Sequence, residues 1–246
     1  MRLVVFLALL IAATGTAYAD PFRLVEPALR LPASTSPGAV RVALTLDACG
    51  GGTDMRILSA LVENRIPATI FVTGIWLRRN AEVLAVMKAH PDLFEIENHG
   101  ARHVPAIDRP ASVYGIAAAG SAEAVGREVL GGADALRAAG LPEPRWFRGA
   151  TAKYTPTAMA RIESLGFRVA GYSLNADGGS LLGAAQTERR VEAARDSDVV
   201  LAHINQPKHA AGGGLVAGLL TLKARGVGFA RLKDVDGATW RAAGTP

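Results

Sequence analysis

Short apolar runs alternate with stretches in which apolar side chains recur every three or four positions, from Val40 almost to the end of the chain. Val40 to Asp47 reads as a buried strand, and Met55 to Asn64 as a helix with Ile57, Leu58, Leu61 and Val62 on one face. Ala68 to Thr73 is a second strand, Ala81 to Ala89 a helix, and Leu93 to Glu97 a third strand. Ser121 to Ala139 is helical with Gly140 as its stop, Trp146-Phe147 is a brief strand, and Thr157 to Leu165 is a helix ended by Gly166. Phe167 to Leu174, Val199 to His203 and Gly228 to Leu232 read as further strands, with helices at Thr187 to Arg195 and Leu215 to Arg225 between them. No Ser/Gly-rich linker and no internal repeat divides the series. Repeated β-then-α units predict parallel strands in a single α/β domain, barrel or open sheet. In either architecture chemistry sits at the carboxyl ends of strands.

The N-terminal segment breaks this rhythm. Met1-Arg2 is a positive start, Leu3 to Ala13 is almost continuously apolar, and Ala17-Tyr18-Ala19 offers small residues at a cleavage site. We therefore expect a signal peptide over residues 1–19, a Pro-containing leader over 20–38 and one domain over 39–240. The apolar run is about half the roughly 20 residues that a spanning helix needs, so the expected protein is secreted or periplasmic, without stable membrane insertion. The whole chain has 246 residues, 50% of them hydrophobic and 20% charged, which fits a globular domain and excludes disorder or a polytopic membrane protein. Its 27 basic and 22 acidic residues give +5, but basic residues come in pairs at most, such as Arg78-Arg79 and Arg189-Arg190. No nucleic-acid partner is expected from that pattern. A single cysteine, Cys49, rules out an internal disulfide framework and a Cys-rich zinc site. Oligomeric state leaves no signal.

Polar residues gather where strands end. Asp47 closes the first strand and runs into Cys49-Gly50-Gly51-Gly52. His99 and His103 follow the third strand at a spacing that lets two imidazoles meet one metal ion. Arg148 follows Trp146-Phe147, Asn175 and Asp177 follow the strand ending at Leu174, and His203 ends Val199 to Ala202. Taken singly, each has an ordinary structural role: a capping Asp, a surface His pair, a core His. Taken together, five strands deliver ionisable or metal-capable groups at one end, which points to a catalytic site. Two imidazoles would hold a divalent metal that acidifies water and polarises a carbonyl. A carboxylate would take the water proton and a separate His would protonate a leaving amine, with an Arg keeping the carboxylate ionised.

The motifs, in order, resemble those of the polysaccharide deacetylase family, the NodB-homology domain of carbohydrate esterase family 4. Thr45 to Gly50 (TLDACG) is similar to the family's T-F-D-D-G, Asn98 to His103 (NHGARH) to N-H-[ST]-x-x-H, and Arg145 to Arg148 (RWFR) to R-x-F-R-P. Tyr172 to Asp177 (YSLNAD) resembles D-x-x-D-W only loosely, while Leu201-Ala202-His203 matches L-x-H. Ile66 to Gly74 (IPATIFVTG) resembles the family's A-T-F-F-V-x-G strand, and the resemblance spans about Val40 to Val235.

The resemblance implies a single-domain distorted (β/α) barrel of the polysaccharide-deacetylase type and metal-dependent removal of N-acetyl groups from a glycan. It makes Asp47 the base that activates water on the metal, His99 and His103 metal ligands, Arg148 the anchor of Asp47, and His203 the acid for the amine. Asp177, ahead of Asn175, corresponds to the acidic residue of the fourth motif. Asn175 and Tyr154 are candidates to line the substrate groove. Zinc is the first choice of metal, with cobalt or nickel close behind.

This chain also departs from the pattern. Ala48 stands where the family's second Asp supplies a third ligand, Gly100 replaces Ser or Thr, Gly149 replaces Pro and Gly178 replaces Trp. Asp54, across the glycine turn, is the preferred substitute ligand, although an Asp there also suits a helix cap. Cys49 is a lesser candidate, and water or Asp47 itself a further one. The run Asp47-Ala48-Cys49, with His203 to Pro207, resembles a branch of the family carrying D-A-C in the first motif. The expected substrate is an acetylated carbohydrate such as peptidoglycan, poly-N-acetylglucosamine, a chitin-like fragment or acetylated xylan. A catalytically silent glycan-binding module and a metal-dependent amidase acting on a non-sugar C–N bond are the rival readings.

Overall fold

The computed structural model of the protein describes residues 23–34, 38–235 and 240–241. The expected signal peptide lies outside the described residues. In chain order the elements are β1 (Ala28–Leu29), β2 (Arg41–Ala48), α1 (Met55–Glu63), β3 (Ala68–Val72), α2 (Gly74–Arg79), α3 (Ala81–Ala89) and β4 (Phe94–Asn98). A hairpin of β5 (Ser112–Val113) and β6 (Ile116–Ala117) follows, then α4 (Ala122–Ala138), β7 (Trp146–Phe147), α5 (Pro156–Ser164), β8 (Arg168–Val169) and β9 (Leu174–Asn175). The chain continues through α6 (Ala184–Glu192), β10 (Val199–His203), α7 (Ala211–Ala224), β11 (Gly228–Ala230) and β12 (Trp240–Arg241).

Eight strands form one parallel sheet in the order β8-β7-β4-β3-β2-β10-β9, with β11 joining β2 at its start. The sheet curls into an open (β/α) barrel, the architecture expected from the sequence. Side chains alternate across it because the strand period is two. Leu44, Leu46 and Ala48 of β2, Ile70 and Val72 of β3, and Val200 and Ala202 of β10 share the larger core cluster with α1 and α7. Their neighbours Ala43, Phe71 and Val199 point the other way, into a second cluster with Trp146, Ala170 and Leu232. Thr45 and Asp47 lie in phase with Ala43, on the concave side.

Helix ends follow local chemistry. Thr155 caps α5 by accepting from the Ala158 amide, with Pro156 in the first turn, where a missing N–H costs nothing. The stops read at Gly140 and Gly166 hold: both adopt positive φ just past their helices (69° and 91°), where a residue with Cβ would be strained.

Several expectations are corrected. Phe167 to Leu174 is not one strand but two, because the chain leaves the sheet between Val169 and Leu174. There the Tyr172 amide donates to the Pro27 carbonyl and the Leu29 amide to the Tyr172 carbonyl. Gly171 permits this, since a Cβ there would collide with the Pro27 carbonyl. The leader is thus woven into the fold, with Leu29 and Leu31 buried. The strand expected to reach Leu232 ends at Ala230 and turns into a 3-10 segment, Leu232–Asp234. Helix α6 begins three residues earlier than Thr187 and α7 four earlier than Leu215. In α7, Gly214 lies where a Cβ would overlap the Ala184 backbone, so the two helices meet closely. Helix α2, capped by Thr73, was not foreseen. Among the described residues, no helix is long and apolar enough to cross a membrane.

Candidate active site

The register of the sheet assembles the site. Asp47 on β2 pairs with His203 on β10, and Val72 on β3 pairs with Asn98 on β4, the residue before His99. Asn98 pairs in turn with Phe147, the residue before Arg148. Asn175 on β9 pairs with Leu201, two residues before His203.

Arg148 is fully buried and spends its guanidinium on four partners. Nη1 donates to Asp47 Oδ1 (3.0 Å) and Thr45 Oγ1 (2.9 Å), Nη2 to the Gly171 carbonyl (2.9 Å) and Nε to the Ala170 carbonyl (3.3 Å). Its carbon lies 4.3 Å from the centre of the Phe71 ring. The two carbonyls come from the break between β8 and β9, so that break supplies the seat for this side chain. Burial works against the Asp47 charge, yet Arg148, His99 and His203 together hold its carboxyl below the usual carboxylate range.

The two histidines sit on a loop shaped by α4. Asn98 donates to the Val129 carbonyl (2.8 Å) and accepts from the Gly100 amide (2.8 Å). Buried Glu128 accepts from the Arg102 and Val104 amides at 2.9 and 3.1 Å. A Cβ on Gly100 would run into the Glu128 carboxylate, and its φ is 90°, which accounts for glycine in place of Ser or Thr. His103 itself takes a left-handed φ of 61°, a strained conformation of the kind that collects at functional sites. The two rings meet edge to face with centroids 5.1 Å apart.

His99 Nδ1 lies 2.6 Å from the Arg148 carbonyl. A carbonyl only accepts, so Nδ1 carries a proton and Nε2 is the ring nitrogen turned to the cleft, the one a metal would take. Nε2 is 3.6 Å from Cys49 Sγ and 3.8 Å from Asp47 Oδ2. Ligand atoms of Cys49, His99 and His103 all fall within 4.8 Å of one another. Burial opposes ionisation of Cys49, but hydrogen bonding with His103, His203 and His99 holds its thiol well below the ordinary range. Two imidazoles and a thiol form a donor set suited to zinc or cobalt. The residues present therefore fit a divalent metal.

His203 faces this group from the other side. Asp177, buried beneath it, accepts from the His203 amide (2.7 Å) and lies 3.1 Å from Nδ1 through either oxygen. Burial would lower the His203 pKa, but the Asp177 carboxylate and Cys49 raise it well above the ordinary value.

Asp47, His99, His103, Arg148, Asp177 and His203 therefore come together. Asp54 and Tyr154 do not take the places given them. Asp54 caps α1: Oδ1 accepts from the Arg56 amide (3.1 Å) and Nε (2.9 Å), and Oδ2 pairs with Arg56 Nη2 (2.6 Å). With both oxygens on Arg56, it does not join the histidines, and the third-ligand reading is corrected. Tyr154 is fully buried and its hydroxyl accepts from the Gly149 amide (2.7 Å), so it braces the loop after Arg148 rather than lining a groove. Asn175 stands half-buried at the end of β9, with Oδ1 accepting from the Gly178 amide (2.8 Å). Thr45 and Glu128 were not singled out as site residues, because a buried Thr in a strand and a Glu in a helix carry no sequence signal of their contacts.

Fold and site together define an open (β/α) barrel with a metal-capable polar centre at its strand ends. The family model for polysaccharide deacetylase matches residues 35–170, more than half of the chain, and the protein belongs to that family. Among curated protein sequences, none matches the chain. Among solved structures, a peptidoglycan N-acetylglucosamine deacetylase in complex with 4-naphthalen-1-yl-N-oxidanyl-benzamide is similar with a TM-score of 0.66 and 18% identity, over 87% of this chain and 94% of that one. A family 4 acetyl xylan esterase from Clostridium thermocellum, in complex with a cobalt ion, has a TM-score of 0.62 and 24% identity over 79% and 89%. A CE4 family pseudoenzyme from Bacillus anthracis has a TM-score of 0.64 and 20% identity, over 81% of this chain and 66% of that one. At these identities the likeness is one of fold.

Proposed function

We propose that the protein is an exported, metal-dependent hydrolase that removes N-acetyl groups from a glycan. The observation that carries this reading is the pairing of two differently tuned groups at neighbouring strand ends: an Asp47 carboxylate fixed by Arg148, and a His203 imidazole fixed by Asp177. Pairs of titratable groups pushed apart in this way mark base and acid.

Asp47, kept ionised, accepts a proton from the water that attacks the acetyl carbonyl. His203, kept protonated, donates a proton from Nε2 to the departing sugar amine while Nδ1 stays on Asp177. Water and amide thus give acetate and free amine. Arg148 holds Asp47 in place and, through its carbonyl, orients His99. A divalent ion held by His99 and His103, zinc first among the candidates, would supply Lewis acidity toward the carbonyl and lower the pKa of water. The segment over residues 1–19 supports export to the periplasm or beyond.

The test is acetate release from peptidoglycan, partly acetylated chito-oligosaccharides and acetylated xylan by zinc-loaded protein. Release that disappears in Asp47→Asn is expected. Ala48 and the likeness to a pseudoenzyme favour one second reading, a glycan-binding module without turnover. Saturable binding of those glycans with no acetate released from any would establish that reading instead.

A further inference from the structure

We infer that Cys49 takes the place of the missing carboxylate as third ligand, so that the metal is held by one thiolate and two imidazoles. This rests on the metal-dependent reading above and concerns how this chain fulfils it.

The pleat of β2 decides which of its side chains reach the cleft. Successive side chains alternate sides, and β2 runs regularly through Ala48. Ala48 is fully buried among Leu46, Val72 and Ala202 on the helix side of the sheet, away from the cleft. Asp47 faces the cleft, and the next residue in phase with it is Cys49. The position that can reach the histidines is therefore shifted by one from the family's second Asp, and there the chain carries a sulfur.

The backbone around Cys49 is held firmly. Its carbonyl accepts from Thr73 Oγ1, the Gly50 carbonyl from Arg79 Nη1 (3.0 Å) and the Gly51 carbonyl from Asn80 Nδ2 (3.2 Å). Three successive carbonyls are thus anchored by the segment that follows β3. Gly51 also lies so close to the Asn205 carbonyl that a Cβ would clash. On this anchored backbone Sγ lies 3.6 Å from His99 Nε2. Asp54 is committed to Arg56 and Asp47 Oδ1 to Arg148, while Asp47 Oδ2 lies 3.8 Å from His99 Nε2, farther than Cys49 Sγ at 3.6 Å. A thiolate beside two imidazoles suits zinc and cobalt and disfavours magnesium, manganese and calcium.

The experiment uses full-length protein stripped of metal and titrated with cobalt, read by absorption. A thiolate ligand gives a sulfur-to-cobalt charge-transfer band in the near ultraviolet, which nitrogen and oxygen ligands do not. The band is expected in the native protein, absent in Cys49→Ser and Cys49→Asp, and absent with loss of binding in His99→Ala. Zinc affinity, measured by chelator competition, is expected to fall in Cys49→Ser by at least the roughly 10- to 100-fold that losing an outer hydrogen-bond partner of a ligand costs. Stoichiometric cobalt without the band in native protein, or unchanged zinc affinity in Cys49→Ser, overturns the assignment. Acetate release separates this result from the functional reading. A protein that deacetylates without the band keeps its function and loses this ligand; one with the band that releases no acetate keeps the ligand and loses the function.

Discussion

His203 and Asp47 are register partners on adjacent parallel strands, at the last of the five paired positions of the β10–β2 ladder. Base and acid are therefore fixed relative to each other by the sheet rather than by a mobile loop. Each is braced from behind by one buried residue, Arg148 or Asp177. Removing His203 takes away the proton donor while leaving the donors around His99 intact. His203→Ala is expected to lower kcat by roughly 10²- to 10⁴-fold with little change in KM or metal content. Steady-state kinetics with zinc quantified in the same samples checks this; a variant that loses metal along with activity would show that His203 serves structure instead.

Arg148 satisfies two carbonyls, a hydroxyl and a carboxylate with one guanidinium at zero exposure. Lysine cannot reproduce that fork. Arg148→Lys leaves buried acceptors unpaired and is expected to destabilise the fold by about 3–5 kcal/mol, the cost of breaking a buried pair. Urea unfolding measures it. A loss below about 1 kcal/mol would mean that water reaches this cluster and that Arg148 acts on Asp47 alone.

Restoring the family's carboxylate at Ala48 is expected to fail here. On the observed pleat, the carboxylate introduced by Ala48→Asp would enter the apolar cluster with Val72 and Ala202, with no cation to meet it. The substitution should therefore weaken the fold by several kcal/mol, on the order expected for a buried unpaired polar or charged group, and leave zinc affinity no higher than native. Tighter zinc binding in a stable Ala48→Asp variant would show that the end of β2 rotates to present that position.

Much of this site is legible in the sequence because the strand-end rule places Asp47, His99, Arg148 and His203 together without any knowledge of their contacts. What escapes is set by tertiary partners. Asp54 carries equal local signals for ligand and cap, and only Arg56, whose guanidinium also reaches the Pro207 and His209 carbonyls, decides between them. Cys49 follows from the two-residue period of β2, but only once the strand is known to continue through Ala48. The break between Val169 and Leu174 lies in an apolar run that reads as one strand. Its cause is the distant leader segment at Pro27 and Leu29, paired with Tyr172. Long-range backbone pairing of that kind has no local signature.

The Asp177–His203 pair has a consequence for pH. His203 acts as an acid, so activity needs its protonated form and falls as pH rises through its pKa. Asp177 is a main cause of the raised value. Asp177→Asn removes that charge, so the basic limb of the kcat/KM profile is expected to move toward lower pH, with the acidic limb unchanged. A profile merely scaled down at every pH would assign Asp177 to the fold rather than to tuning the acid.

Glu97 ties stability to pH in the opposite sense from an ordinary salt-bridged carboxylate. Its Oε2 accepts from the Arg145 and Trp146 amides (2.9 and 2.8 Å), and Glu95 shares its face of β4 two residues away. Burial, with Glu95 adding repulsion against those two amides, raises its pKa to about 9, so the folded protein keeps it protonated at neutrality. In the unfolded chain it ionises near the ordinary value of 4.5. Between those limits the folded state binds more protons than the unfolded one, so stability declines as pH rises, by at most about 1.4 kcal/mol per pH unit from this group. Below the unfolded pKa the contribution is fully present. Glu97→Gln keeps an acceptor for both amides and has no proton to lose. Its melting temperature should match the native protein's near pH 4, below the unfolded pKa, and exceed it increasingly toward pH 9. A Gln variant that is less stable than native by the same margin at both ends of that range would mean that Glu97 is ionised in the fold, held there by the two amides.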